Sequence, residues 1–166
     1  MVVPFRPTGT APRFTTGPWY GRSVVVTRGD ALAASDLDLM RRAYDALVSG
    51  DIPLLFSLMD DDVAAHVPGW SQVAGEYAGK QAVLGYVATL GQLSGGTLRF
   101  ELHDLLTGDG QTGHGHAVAL VKDLAERADG RSLAMNNVHV WHVGDGRLRE
   151  IWVYPGDLNA WDDFWS

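Results

Sequence analysis

The stretch S-L-A-M-N-N-V-H-V-W-H-V-G-D-G-R-L-R-E-I-W-V-Y-P-G-D, Ser132 to Asp157, decides the fold. Two alternating runs flank the tight turn Gly144-Asp145-Gly146. Alternation on both sides of a D-G turn is the strongest short-range signal for a β-hairpin. Side chains alternate across a strand, so Asn137, His139 and Trp141 share one face and Val138, Val140 and His142 the other. In the second arm Glu150, Trp152 and Tyr154 share a face, alternating with Ile151 and Val153. A polar and aromatic face of this kind suits either a cavity wall or a subunit contact. We expect Asn137, His139 and Trp141 to line a cavity.

Upstream of the hairpin the chain continues in strands, Thr97–Leu106 and His116–Glu126, separated by Gly108-Asp109-Gly110 and Asp129-Gly130 turns. Before them come helices. Ser35-Asp36-Leu37-Asp38 has the form of a capped start, with Ser35 as N-cap. Leu37, Met40, Ala43, Tyr44, Leu47 and Val48 recur at helical spacing up to a Gly50 stop. A short helix from Pro53 to Met59 has proline in its first turn. A third helix runs Gly79 to Leu93, with Val83, Tyr86, Val87 and Leu90 on one face. Val63 to Val67 reads as a strand ending at His66-Val67-Pro68-Gly69-Trp70, and Asp157 to Trp165 as a short closing segment. Helices first and an antiparallel meander after indicate an α+β fold: three N-terminal helices on a strongly curved antiparallel sheet, enclosing a cone.

The first 35 residues differ in kind. They hold four of the seven prolines, with four arginines against Asp30, a balance of +3 in a chain of net charge −7. We therefore divide the 166-residue chain into a basic Pro/Gly-rich arm, 1–35, and one domain, 36–166. The domain's acidity argues against nucleic acid as a partner. No apolar run reaches the roughly 18 residues of a membrane span, and no cationic stretch leads an apolar leader core, so a cytoplasmic location is expected. Cysteine is absent, which excludes disulfides and thiolate metal sites.

Four segments carry a family resemblance: Leu37–Val48 with Gly50-Asp51, the strand end His66-Val67-Pro68-Gly69, A-G-E-Y-A-G-K-Q-A-V from Ala74 to Val83, and G-D-G-R-L-R-E-I-W from Gly144 to Trp152. With them, residues 36–166 resemble the SnoaL-like polyketide cyclases, within the superfamily of nuclear transport factor two and ketosteroid isomerase. The resemblance implies a cone-shaped pocket, a homodimer through the outer sheet face, and acid–base chemistry without cofactor or metal. It also implies an aspartate and a histidine that move protons during ring closure. Asp104 and Asp157 are the aspartate candidates.

His66, at a strand end, titrates near neutrality and suits proton transfer. His139 is a second candidate base, with Asn137 placed to hold a developing enolate oxygen. Trp70, Tyr86, Trp141, Trp152 and Tyr154 are the candidate substrate contacts. Tyr44 and Tyr86, from different helices, could polarise a ligand carbonyl or epoxide oxygen; as buried tyrosines they would also simply satisfy the core. Glu150 is a buried acid if its face is inward and a surface acid otherwise. Asp60-Asp61-Asp62 reads as a solvated turn, and His114-Gly115-His116 lacks a third ligand at useful spacing. The expected function is a cofactor-free cyclase or isomerase acting on a flat, largely apolar, polyketide-like metabolite. The alternatives are a non-catalytic ligand-binding or dimerisation module and, third, an epoxide hydrolase. The last would need two carboxylates bridged by an arginine, and Arg147 and Arg149 adjoin the hairpin turn.

Overall fold

The computed structural model describes residues 29–108 and 115–166. The arm's residues 1–28 and His114 lie outside the described residues, as does most of the Gly108-Asp109-Gly110 turn.

Four helices and six strands follow in the order α1 Gly29–Ser49, α2 Ile52–Leu58, β1 Met59–Val67, β2 Gly75–Ala78, α3 Lys80–Leu93, β3 Arg99–Thr107, β4 Gly115–Glu126, β5 Ser132–Gly144, β6 Arg147–Pro155 and α4 Leu158–Trp165. The strands form one sheet in the order β2-β1-β6-β5-β4-β3. The meander β3 to β6 is antiparallel throughout. The hairpin turns at Asp145 and Gly146, both at positive φ, 52° and 69°. That is the backbone a two-residue turn with right-handed strand twist requires.

Several features differ from the sequence expectation, and the closing segment is itself a helix, α4. β1 joins the sheet parallel to β6, so the sheet is mixed. A parallel neighbour contributes no hairpin signal, because its partner lies far along the chain. Gly75–Ala78, between the first strand and the third helix, where no strand is expected, is a short edge strand on β1. Helix α1 begins at Gly29, so Ser35 lies inside the helix and does not cap it, and the boundary drawn at residue 35 falls within α1. The Asp60-Asp61-Asp62 run is part of β1, with Asp61 ion-paired to Lys80 at 2.7 Å. Among the described residues no cluster of histidines and acids is arranged to hold a metal.

The core lies between the helices and the concave face of the sheet. Met40, Ala43 and Tyr44 of α1, Leu55 and Leu58 of α2, and Val83, Tyr86 and Leu90 of α3 are buried against inward residues of the strands. α2 is started by Asp51, whose side chain accepts from Leu54 N at 3.0 Å. α4 buries Trp161, Phe164 and Trp165, and its Asp162 accepts from Trp70 N at 3.0 Å and Ser71 N at 2.9 Å. Gly69, at φ 108°, is required there, because a Cβ would collide with the Asp162 carboxylate.

Candidate functional site

The inward residues of β4 are small and, but for one, apolar: Ala117, Ala119, Val121, Asp123 and Ala125. Register places Ala117 opposite Trp141 and Ala119 opposite His139. Two alanines facing two large rings leave space above the sheet. A cavity of about 630 Å³, its open mouth included, fills it. Apolar side chains make most of the wall, from Leu47, Met59, Val83, Leu90, Ile151 and Val153 among others. The polar side chains reaching it are Tyr44, Tyr86, Asp123, His139 and the indole of Trp141.

Three of these form a relay. Trp141 Nε1 donates to Tyr44 Oη at 3.1 Å, and Tyr44 Oη lies 2.8 Å from His139 Nδ1. An indole N–H can only donate, so the Tyr44 oxygen accepts there; among the described residues His139 Nδ1 is the acceptor within reach of the Tyr44 hydrogen, and we assign that hydrogen to it. Nδ1 is thereby the unprotonated nitrogen, and Nε2 carries the ring's hydrogen. Burial drives the His139 pKa down to about 4. The ring is neutral at pH 7 and serves the cavity as a hydrogen-bond donor. Burial likewise raises the Tyr44 and Tyr86 phenols far above their usual range, so both keep their protons.

Asp123 shares the cavity and is only 1% exposed. Burial raises its carboxyl to about 7, an effect the Asn137 amide partly offsets. A carboxyl held in apolar surroundings with its pKa at the operating pH has the property a proton-transfer group needs. The sequence reading missed it in favour of Asp104 and Asp157. The signal was present, since Asp123 breaks the inward alternation A-A-V-D-A on β4.

The remaining sequence candidates divide by face. Trp141, His139 and Tyr86 reach the cavity. Asn137 points inward and is 2% exposed, but it lies behind the wall, with Oδ1 accepting from Gly156 N at 3.3 Å. His66, Trp152 and Tyr154 stand on the opposite, outer face of the sheet. Ala65, Ile151 and Val153 take the inward positions beside them, and the strand pleat turns the three outward. Trp70 is 67% exposed on the loop after β1. Asp157 is an exposed N-cap, accepting from Ala160 N at 3.1 Å to start α4. Asp104 is an exposed residue beside the irregular register of β3. Arg149 pairs with Asp145 and Asp60, and Arg147 reaches the Ser57 carbonyl. Neither arginine lines the cavity, so the two-carboxylate, one-arginine arrangement of the epoxide-hydrolase alternative is not assembled there.

The outer face carries its own connected set. His66 Nε2 meets Glu150 Oε1 at 2.7 Å, and Glu150 Oε2 meets His142 Nδ1 at 2.9 Å. Glu76 bonds His66 Nδ1. The His66 ring stacks on Trp152 at 4.9 Å between centroids, and His116 packs edge-on to His142 at 4.3 Å. Partial burial opposes the charged His66 ring, but the bonds and charges of Glu150 and Glu76 outweigh it and raise its pKa.

A family model described as the SnoaL-like domain matches residues 40–151. The chain belongs to the SnoaL-like family. An uncharacterized protein of Mycobacterium tuberculosis is 30% identical over 133 residues, covering 80% of this chain and 97% of that one. Among solved structures, Bal32a from a soil-derived mobile gene cassette is 30% identical, with a TM-score of 0.74, covering 81% of this chain and 98% of its own. At 18% identity, the structure of TerC co-crystallized with polyporic acid shares the fold, with a TM-score of 0.67 and coverage of 78% and 97%. This SnoaL-like fold is also that of NTF2-like proteins, four helices on an open six-stranded sheet.

Proposed function

We propose that this SnoaL-like chain is an acid–base enzyme for an uncharged, largely apolar carbonyl compound, and that Asp123 and His139 carry the chemistry. One observation supports it above all. A carboxyl that ionises near pH 7 shares an apolar cavity with a neutral histidine donor.

In this reading the Asp123 carboxylate takes a proton from the carbon beside the carbonyl. The C–H electron pair moves into the new C=C bond, and the carbonyl oxygen gains negative charge. His139 Nε2–H donates to that oxygen, and the Tyr44–Trp141 relay keeps the hydrogen on Nε2. Donors aimed at developing charge in a dry site are worth several kcal/mol in rate, on the order of 3 kcal/mol for one donor. Protonated Asp123 then returns the proton at another carbon, giving an isomer. Alternatively the enolate carbon attacks a second carbonyl, whose π pair moves onto its oxygen, and protonated Asp123 gives that oxygen its proton as the ring closes. Among the described residues no lysine or arginine lines the cavity, so a ligand carboxylate would meet no counter-charge from them, which favours neutral substrates. The aromatic walls at Trp141, Tyr86 and Phe100 suit a flat ring system. TerC, which shares the fold, was co-crystallized with polyporic acid, in keeping with a fold that accepts a small-molecule ligand.

The outer face, with half-buried Val138 and Val140 beside Trp152 and exposed Tyr154, is the face we assign to a homodimer contact.

The reaction is tested by incubating the protein with flat polycyclic ketones in D₂O and following loss of the proton beside the carbonyl by NMR. Enzyme-dependent exchange that vanishes in Asp123→Asn is the expected result. Ketones that bind in the cavity and never exchange would leave a binding module without turnover.

A further inference from the structure

We propose that Asn137 is the positioning residue of Asp123: it fixes one carboxyl oxygen as an acceptor and so presents the other to the cavity. The proposal rests on Asp123 being the proton-transfer group.

Asn137 and Asp123 project from the same face of adjacent strands. Val121 stands opposite Asn137, and Asp123 opposite Met135, so the two are diagonal neighbours. Both are nearly sealed from solvent, at 2% and 1% exposure. The orientation of the Asn137 amide is set from behind. Gly156 N donates to its Oδ1 at 3.3 Å, which commits Oδ1 as the acceptor and leaves the NH₂ group for the other direction. Gly156 is able to approach because it lacks a Cβ, which would collide with the Asn136 carbonyl. Two complementary atoms are then left over. Asn137 Nδ2 is a buried donor and Asp123 Oδ1 a buried acceptor, and neither makes a hydrogen bond of normal geometry, to the other or to any of the described residues. They approach closely enough for the amide to stabilise the carboxylate while stopping short of a well-formed bond.

The consequence is chemical. An amide NH₂ can only donate, so Oδ1 facing it cannot hold the acid's proton without setting two hydrogens against each other. The proton of neutral Asp123 therefore resides on Oδ2. Oδ1 is enclosed while Asp123 lines the cavity, so Oδ2 is the oxygen a ligand meets. Asn137 thus decides which oxygen gives and takes the proton, without touching the ligand. It also restrains the effect of burial, which alone would push the carboxyl higher still.

The test reads the carboxyl directly. Protein carrying aspartate ¹³C-labelled at the side-chain carboxyl is titrated by NMR, and Asp123 is assigned by its absence in Asp123→Asn. In Asn137→Leu, close in size but without the donor, the Asp123 midpoint should rise by about one pH unit or more. The pH profile of ketone exchange should move with it. If Asn137→Leu does not fold, the wild type gives the same answer. The Asn137 side-chain ¹⁵N resonance should follow the Asp123 titration and stop doing so in Asp123→Asn. A carboxyl midpoint unmoved in Asn137→Leu, or an Asn137 amide indifferent to Asp123, overturns the proposal. Loss of exchange is a separate matter. Coupling seen by NMR in a protein that never exchanges a ketone would keep this inference and discard the catalytic reading.

Discussion

Tyr44 Oη lies 2.8 Å from His139 Nδ1, joining helix α1 to strand β5 across the cavity floor. This contact sets the tautomer of the one histidine that reaches the cavity among the described residues, so the helix determines which imidazole nitrogen a ligand meets. Tyr44→Phe removes the hydrogen given to His139 and the acceptor used by Trp141. Two buried groups lose their partner, at a cost of about 1–3 kcal/mol each at most, read by urea unfolding. Ketone exchange should fall by about 10- to 100-fold, and ¹⁵N NMR should show the proton shared between the His139 nitrogens where the wild type has it on Nε2.

Stability should respond to pH through two opposed groups. Asp123 is raised from 3.8 to about 7, so the folded chain keeps a proton that the unfolded chain releases. Stability from this group falls as pH rises between about 4 and 7. His139 is lowered from 6.5 to about 4, so the unfolded chain takes up a proton that the folded chain refuses. Stability from this group rises with pH between about 4 and 6.5. In the wild type the two slopes largely cancel. In Asp123→Asn the histidine slope stands alone, and the stability difference from wild type should grow in the variant's favour by about 2–4 kcal/mol from pH 4.5 to pH 7.5. Urea midpoints at four pH values across that range check it.

The division between the two sheet faces makes a third prediction. His66→Ala removes an outer-face residue and should leave ketone exchange within about twofold of wild type. A loss of about 100-fold would return the chemistry to the outer face. The same variant should be destabilised chiefly at low pH. His66 is raised, so its contribution is fully present below the unfolded value of 6.5 and is lost as pH rises through the folded one.

Assembly supplies the fourth. A homodimer through the outer face should be visible by sedimentation velocity, and Val140→Lys should weaken it by about 100-fold or more by placing an unpaired charge in the contact. A monomeric wild type at high concentration would contradict this assignment.

The strands of the meander and the first three helices were legible because each buries one face, which writes a period of 2 or 3.6 into the sequence, whereas the eight-residue α4 was read only as a closing segment. The parallel seam between β1 and β6 was not legible, since it joins residues such as His66 and Trp152 that lie far apart along the chain. The face of Asn137, His139 and Trp141 could be separated from that of Val138, Val140 and His142. Which of them faced the helices depended on the packing of α1 and α3. The same limit applied to β6: Trp152 and Tyr154 are chemically suited to a binding wall, but the register pairs Trp152 with Val140 on the outer face. Asp123 was overlooked because attention went to strand ends and turns, where acids are ordinary. At the inward position of an apolar strand an acid is exceptional, and that is where its chemistry arises.

Proton transfer by Asp123 is read from the pH dependence of deuterium exchange into a bound ketone. The rate should rise with pH and level off with a midpoint near 7, set by ionisation of Asp123, and on that plateau it should drop by about two to four orders of magnitude in Asp123→Asn. A rate that stays the same in Asp123→Asn, or a profile without that midpoint, would contradict it.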